Sequence, residues 1–255
     1  PTKALAYRPE FLDLMKPPEG GRLFVYDYSN IRGSKANRYV SEGPGGWEKI
    51  KGLEQNTASL IAVRSYMGPL VGGYWGVEYA WDVDMRMLFD RRLADLTIGV
   101  RRVEETPAFL KLLQMSGVHR MVSMHEQGLQ ELKLLAREDF YPRPLRIFSV
   151  PDPLPRAFLV SGRRRASGHD LDDIVDPTFD PRTSVLIERE PLRPAAAGFE
   201  GVAKILELRS DRIRLETRTN GPAFLTLIEG ALPGWRVWVD DPPAVVERAN
   251  AIFIG

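Results

Sequence analysis

Three prolines in five residues, at Pro151-Asp152-Pro153-Leu154-Pro155, constrain this chain more than any other feature. Proline fixes φ and carries no backbone N–H, so a run this dense cannot lie inside a helix or a central strand and reads as a stiff connector. The hydrophobic pattern changes across it. Before it, helical and extended periods alternate; after it, a period of two dominates. This predicts an α+β chain, with a mixed α/β part over residues 1–150 followed by a small antiparallel β-sandwich over residues 151–255. With 44% hydrophobic content, 255 residues supply one large or two modest cores.

In the first part, residues 22–27 follow the Gly20-Gly21 break and read as a strand, and residues 29–46, polar with Gly and Pro, read as loop. Asn56 or Thr57 is placed to cap a short segment through Leu60, Ile61 and Val63. Met85, Leu88, Phe89, Leu93 and Leu96 recur at helical spacing, which predicts a helix over 84–96. Thr106-Pro107 opens a second helix that Gly117 stops. A strand over 118–124 and a hairpin of 129–136 with 145–150 follow. In the second part we expect strands at 157–160 and 184–188, a short helix over 170–175, and beyond residue 197 only strands. Over 212–218 the alternation is clear: Ile213, Leu215 and Thr217 face one side, and Arg212, Arg214, Glu216 and Arg218 the other.

Charge and composition exclude several partners. Thirty-five basic against 34 acidic residues leave a net charge of +1, so no long-range field argues for nucleic acid, and none is expected as a partner. The absence of Cys rules out a disulfide scaffold, a thiol nucleophile and a thiolate metal site. No apolar stretch approaches the ~18 residues of a membrane span, and Pro1-Thr2-Lys3-Ala4 lacks the order of a signal peptide. A start at Pro1 and an end at Ile254-Gly255 read as the bounds of an excised piece.

Near the end, Pro233 to Asp240 spell PGWRVWVD. Pro233 and Gly234 close a turn, Trp235, Val237 and Val239 alternate with Arg236, Trp238 and Asp240, and Asp240 to Pro243 make the next turn. The spacing predicts a strand whose inward Trp235 anchors the sandwich core and whose Trp238 lies on the other face. Four further stretches fall in order before it: YWGVEYAWDVDMRMLF (74–89), LQMSGVHRMVSM (113–124), LRIFSVPDPLPRAFLV (145–160) and DPTFDPRTSVLIE (176–188). Together with PGW-x-x-x-VD these resemble the carboxy-terminal extracytoplasmic module of the YfhO-like family of bacterial multi-spanning membrane proteins, related to lipid-dependent glycosyltransferases of the GT-C kind. The resemblance covers most of the chain and is weakest before residue 58. It implies an accessory domain on the extracytoplasmic face of the cytoplasmic membrane, whose partners are its own transmembrane domain and a glycan or lipid-linked sugar. The catalytic carboxylate of such enzymes lies in a loop between early spans that nothing here matches, so no catalytic residue and no cofactor are assigned. Family members also continue through one more hairpin, which implies a sandwich lacking its last strand.

Candidate chemistry concentrates around Tyr74, Trp75, Tyr79 and Trp81, beside the Asp82-Val83-Asp84 pair. Aromatic rings flanked by carboxylates make up sugar-binding faces, which designates Trp75, Tyr79, Trp81, Asp82 and Asp84 as candidate carbohydrate contacts. Two carboxylates at this spacing share a divalent ion only on an extended chain, and the competing role for Asp84 is to cap the helix that follows. His119, His125 and His169 are too scattered for a metal site, and none is expected. Arg163-Arg164-Arg165 is a candidate contact for a lipid diphosphate, weighed against a solvated turn. A free-standing carbohydrate-binding module and a purely structural domain are the rival readings; the second predicts an exposed apolar patch.

Overall fold

The computed structural model describes residues 6–26, 28, 52–82, 89–139, 144–189 and 192–255. Two units, Pro1–Pro153 and Leu154–Gly255, divide the chain inside the proline run. The class is α+β, with helices and several small sheets.

The first unit is built on a four-stranded sheet of order β1-β2-β4-β3, formed by β1 (Arg22–Val25), β2 (Val118–Ser123), β3 (Lys133–Glu138) and β4 (Leu145–Ser149). β1 and β2 run parallel, pairing Phe24 with Met121 and Val25 with Val122, whereas β2–β4 and β3–β4 are antiparallel. A parallel pair needs a long crossover, and here it contains the helices α2 (Gln55–Ser65), α3 (Arg91–Arg102) and α4 (Pro107–Met115). A single turn, α1 (Leu12–Met15), buries Leu12 and Met15. The core joins Leu23 and Phe24 of β1 to Phe109, Leu112, Leu113 and Met115 of α4 and to Val118 and Met121 of β2. Each such side chain contributes about 1.5–3 kcal/mol. α4 starts on Pro107 and ends where Gly117 takes φ +67°, so its carbonyl receives the Arg22 N–H at 2.9 Å and leads the chain directly into β2.

Two caps differ from expectation. Glu54, not Asn56 or Thr57, caps α2: its carboxylate accepts from both their N–H groups. α3 begins at Arg91, where the Asp90 side chain accepts from Leu93 N at 2.9 Å, and it runs on to Arg102. The predicted helix start at residue 84, the loop over 29–46 and, apart from Pro144, the Tyr141–Pro144 connection expected between the hairpin strands lie outside the described residues.

In the second unit a four-stranded antiparallel sheet has the order β13-β14-β10-β5, from β5 (Ala157–Val160), β10 (Phe224–Gly230), β13 (Arg248–Ala249) and β14 (Phe253–Ile254). The long hairpin β8 (Gly201–Leu208) and β9 (Ile213–Thr219) turns Ala203, Ile205, Ile213 and Leu215 inward, as the alternation predicts, but Thr217 is exposed and the outer face of β8 carries Val202, Leu206 and Leu208 beside Lys204. The antiparallel pattern fails once. β6 (Gly162–Arg165) and β7 (Ser184–Ile187) are parallel, joined through α5 (Asp170–Val175). Gly162 is required there because a Cβ would run into Ser184 Oγ. Asn250, fully buried in the turn between β13 and β14, accepts from Leu186 N through Oδ1 and donates its own N–H to Leu186 O, tying that turn to β7.

The PGW segment departs from its expected role. Pairing is confined to β11 (Val237–Trp238) with β12 (Pro243–Ala244), and Trp235 is half-buried instead of anchoring the core. Asp240 and Asp241 both take positive φ in the turn between the strands, and a two-residue ladder is too short to draw the indole inward. Leu232, Trp238, Val239 and Val245 consequently stand exposed, Trp238 at 59% and Val245 at 66%.

Candidate functional site

The aromatic segment lies along the open edge of β1, where Leu23 N donates to Glu78 O and Ala80 N to Leu23 O. This addition fixes the side-chain directions that follow. The Tyr79 ring fits under the 3-10 turn Val71–Trp75, against Gly72, where a Cβ would come within 2.8 Å of the ring. Its hydroxyl accepts from Gly72 N at 2.8 Å and donates to Met67 O at 3.0 Å, and burial pushes its pKa up. Trp81 is only 5% exposed, with φ +58°, and its carbonyl accepts from Arg101 at 3.2 Å. Asp82 accepts from Leu70 N at 3.3 Å. Asp84 lies outside the described residues.

Of the five candidates, then, Trp81 is buried, while Tyr79 and Trp75 are both half-buried, Tyr79 with its hydroxyl tied to the backbone beneath the 3-10 turn. The outer neighbour of Trp75 is Tyr74, 76% exposed, at 6.3 Å between ring centroids, and Arg64 lies over both rings at 5.0 and 5.7 Å. An aromatic pair under a guanidinium is what this loop offers a ligand.

A second group gathers at the carboxyl ends of β1 and β2, the place where parallel strands commonly present their site. Tyr28 Oη lies 2.7 Å from His125 Nδ1 and 2.8 Å from Ser123 Oγ, and it accepts from Met124 N at 2.6 Å. Ser123 donates to His125 O at 2.9 Å and accepts from His125 N at 3.0 Å. Tyr28 Oη and His125 Nδ1 share one short hydrogen bond, whose donor is set by the imidazole tautomer. Arg146 braces the turn by donating to Met124 O and to Glu126 Oε1, each at 2.6 Å. Burial, followed by the nearby Arg146 charge, pulls the His125 pKa down to about 4, and burial pushes Tyr28 up.

Against this group packs an ion pair taken wholly out of water. Arg101 and Glu104, near the end of α3, are both about 1% exposed with N and O 3.7 Å apart. The Arg101 guanidinium lies 4.4 Å over the Phe24 ring and donates to the Trp81 carbonyl. Tyr26, which stacks edge-on to His125 at 4.5 Å, has its pKa raised by burial and then by Glu104.

Ser123 and His125 stand at the separation of a nucleophile and its base, yet Ser123 is wholly buried and its hydroxyl is engaged on the His125 backbone. His125 is neutral at neutral pH, and its Nδ1 is already engaged by the Tyr28 hydroxyl. The arrangement locks two strand ends together and does not present a reacting atom to a substrate. None of Tyr28, Ser123, His125 and Arg101 is a candidate from sequence; His125 is weighed there only as a metal ligand and set aside. The sequence signal is the Ser-x-His at the end of a strand that follows a helix.

In the second unit, Arg164 is bound to Asp176 Oδ2 at 3.1 Å and to Thr178 Oγ1 at 3.2 Å, so the arginine triplet is not a uniform solvated turn. Among the described residues no three His, Cys, Asp or Glu side chains could jointly hold a metal, and no helix is long and apolar enough to cross a membrane. Comparison with protein-family models, with curated proteins and with solved structures finds no match to this chain.

Proposed function

We propose that this chain is an extracytoplasmic accessory module of a polytopic bacterial membrane protein of glycosyltransferase type, and that it carries no reaction centre of its own. One contrast supports the reading. Ser123, His125 and Tyr28, the groups best suited to nucleophilic or acid–base work, are buried and engaged with one another, whereas Leu232, Trp238, Val239 and Val245 are exposed within one short stretch. A module that turns its chemistry inward and its apolar side chains outward is suited to leaning on the rest of a larger protein. The segments resembling the YfhO-like family add to this; four of them fall on α4–β2, β4–β5, the approach to β7, and β11.

Membranes carrying the parent protein test it. Deleting the part equivalent to 154–255, or replacing Trp238 and Val245 with Ser, is expected to reduce sugar transfer while the transmembrane part still inserts. Unchanged transfer overturns the role. A second reading, contact with a glycan, is favoured by the exposed Tyr74 beside Trp75; loss of a glycan-induced change in Trp fluorescence in Tyr74→Ala separates it from the first.

A further inference from the structure

We infer that Arg163 and Arg193 form a binding site for a phosphoryl group. The two residues face each other across an antiparallel bridge outside the main sheets: Arg163 N donates to Arg193 O at 2.7 Å and Arg193 N to Arg163 O at 3.1 Å. Residues so paired project their side chains from the same face at close range. Like charges directly opposite destabilise a ladder, and nearby carboxylates normally offset them. Here none does. Arg163 meets no carboxylate among the described residues, its Nε is buried without a hydrogen bond, and its guanidinium lies 4.8 Å over the Phe224 ring. Arg193 is anchored by backbone carbonyls alone, from Nε to Ser161 O at 2.8 Å and from Nη2 to Pro222 O at 2.9 Å.

The contrast with other arginines of the same unit makes the pair informative. Arg156 holds Glu229, Arg164 holds Asp176, Arg209 holds Glu207 and Arg218 holds Glu216. The bridge therefore concentrates two positive charges that no carboxylate among the described residues compensates. Both guanidiniums are also held in place, one by an aromatic face and one by two carbonyls, so a ligand would order little further. A guanidinium has five N–H donors; Arg193 spends two of them on carbonyls, and its others remain for an oxyanion. Two such forks suit the paired oxygens of a tetrahedral anion, and their joint charge matches the roughly −1.5 to −2 of a phosphate monoester better than the single charge of a carboxylate. The site stands whether or not the module serves sugar transfer, because it is read by binding to this chain alone.

Titration calorimetry with inorganic phosphate and with pyrophosphate, at constant ionic strength in chloride, tests it. Flotation with phosphatidylcholine vesicles, with and without phosphatidic acid, adds a membrane-bound phosphomonoester. Saturable binding is expected, weakened about tenfold or more in Arg163→Gln, since a hydrogen bond to a charged group contributes roughly 1.5–3 kcal/mol. Arg164→Gln, whose partner is Asp176, should bind as the parent does. Arg163→Lys keeps the charge without the fork and should fall between, which secures the result should the Gln variant misfold. Binding of the soluble anions without the vesicles assigns a free phosphoryl ligand; vesicle binding that Arg163→Gln abolishes assigns a headgroup. No binding of any of them at millimolar concentration, or equal affinity in Arg163→Gln, overturns the site.

Discussion

Two buried or half-buried arginines of this chain meet opposite fates. Arg101, at the strand ends of the first unit, is withdrawn from water together with Glu104, roofed by Phe24 and tied to a backbone carbonyl. Arg163, on the bridge of the second unit, has an aromatic floor but a second arginine where a carboxylate would be expected. The difference teaches what each is for. A charge with its own counterion inside the fold has become architecture, and a charge facing another of the same sign is held for something outside the fold.

The largest way to break this contrast is Arg101→Met. It takes the guanidinium away from the buried Glu104 carboxylate, and unfolding free energy in urea is expected to fall by about 3–5 kcal/mol. Adding Glu104→Met should recover most of that loss, because an apolar pair needs no desolvation. Acid comes next. The His125 pKa of about 4 lies below its unfolded value near 6.5, so between those values the unfolded chain binds more protons. The contribution is complete above pH ~6.5 and lost as pH falls towards 4, up to about 3 kcal/mol. Urea melts at stepped pH should show this slope in the parent and not in His125→Asn. The smallest effect belongs to Arg163→Gln. Without ligand its stability should stay within about 0.5 kcal/mol of the parent, or rise slightly as the like-charge pair is relieved. A large loss would make Arg163 architecture after all.

Much of the fold was legible because it is local. Thr106-Pro107 to Gly117 and the turn of helix at 170–175 carry their own start and stop and appear where expected, and of the alternation over 212–218 Ile213 and Leu215 turn inward while Thr217 does not. The caps were less so: Glu54 reaches forward to Asn56 and Thr57, which from sequence look like the better caps themselves. The cluster of rings at Trp75, Tyr79 and Trp81 is plain in the sequence, but the direction of each ring is not. Trp81 is buried and Tyr79 half-buried because the segment adds to the edge of β1, a pairing with no local signature. The Tyr28–Ser123–His125 group is assembled by two parallel strands whose partners lie far apart in sequence, and no spacing rule reaches across that distance. The Arg163–Arg193 bridge was hidden for the same reason, although the arginine triplet marked one half of it.

The parallel pairing of β1 with β2 also orders events in time. Arg22 waits for Val118, so β1 leaves the ribosome long before its ladder partner and must close a large loop through three helices. β8 and β9 face no such delay, since Leu208 meets Ile213 almost at once. The amino-terminal unit thus closes the longer loop, and until β2 is made the ladder edge of β1 is where a nascent chain would first need protection from its neighbours.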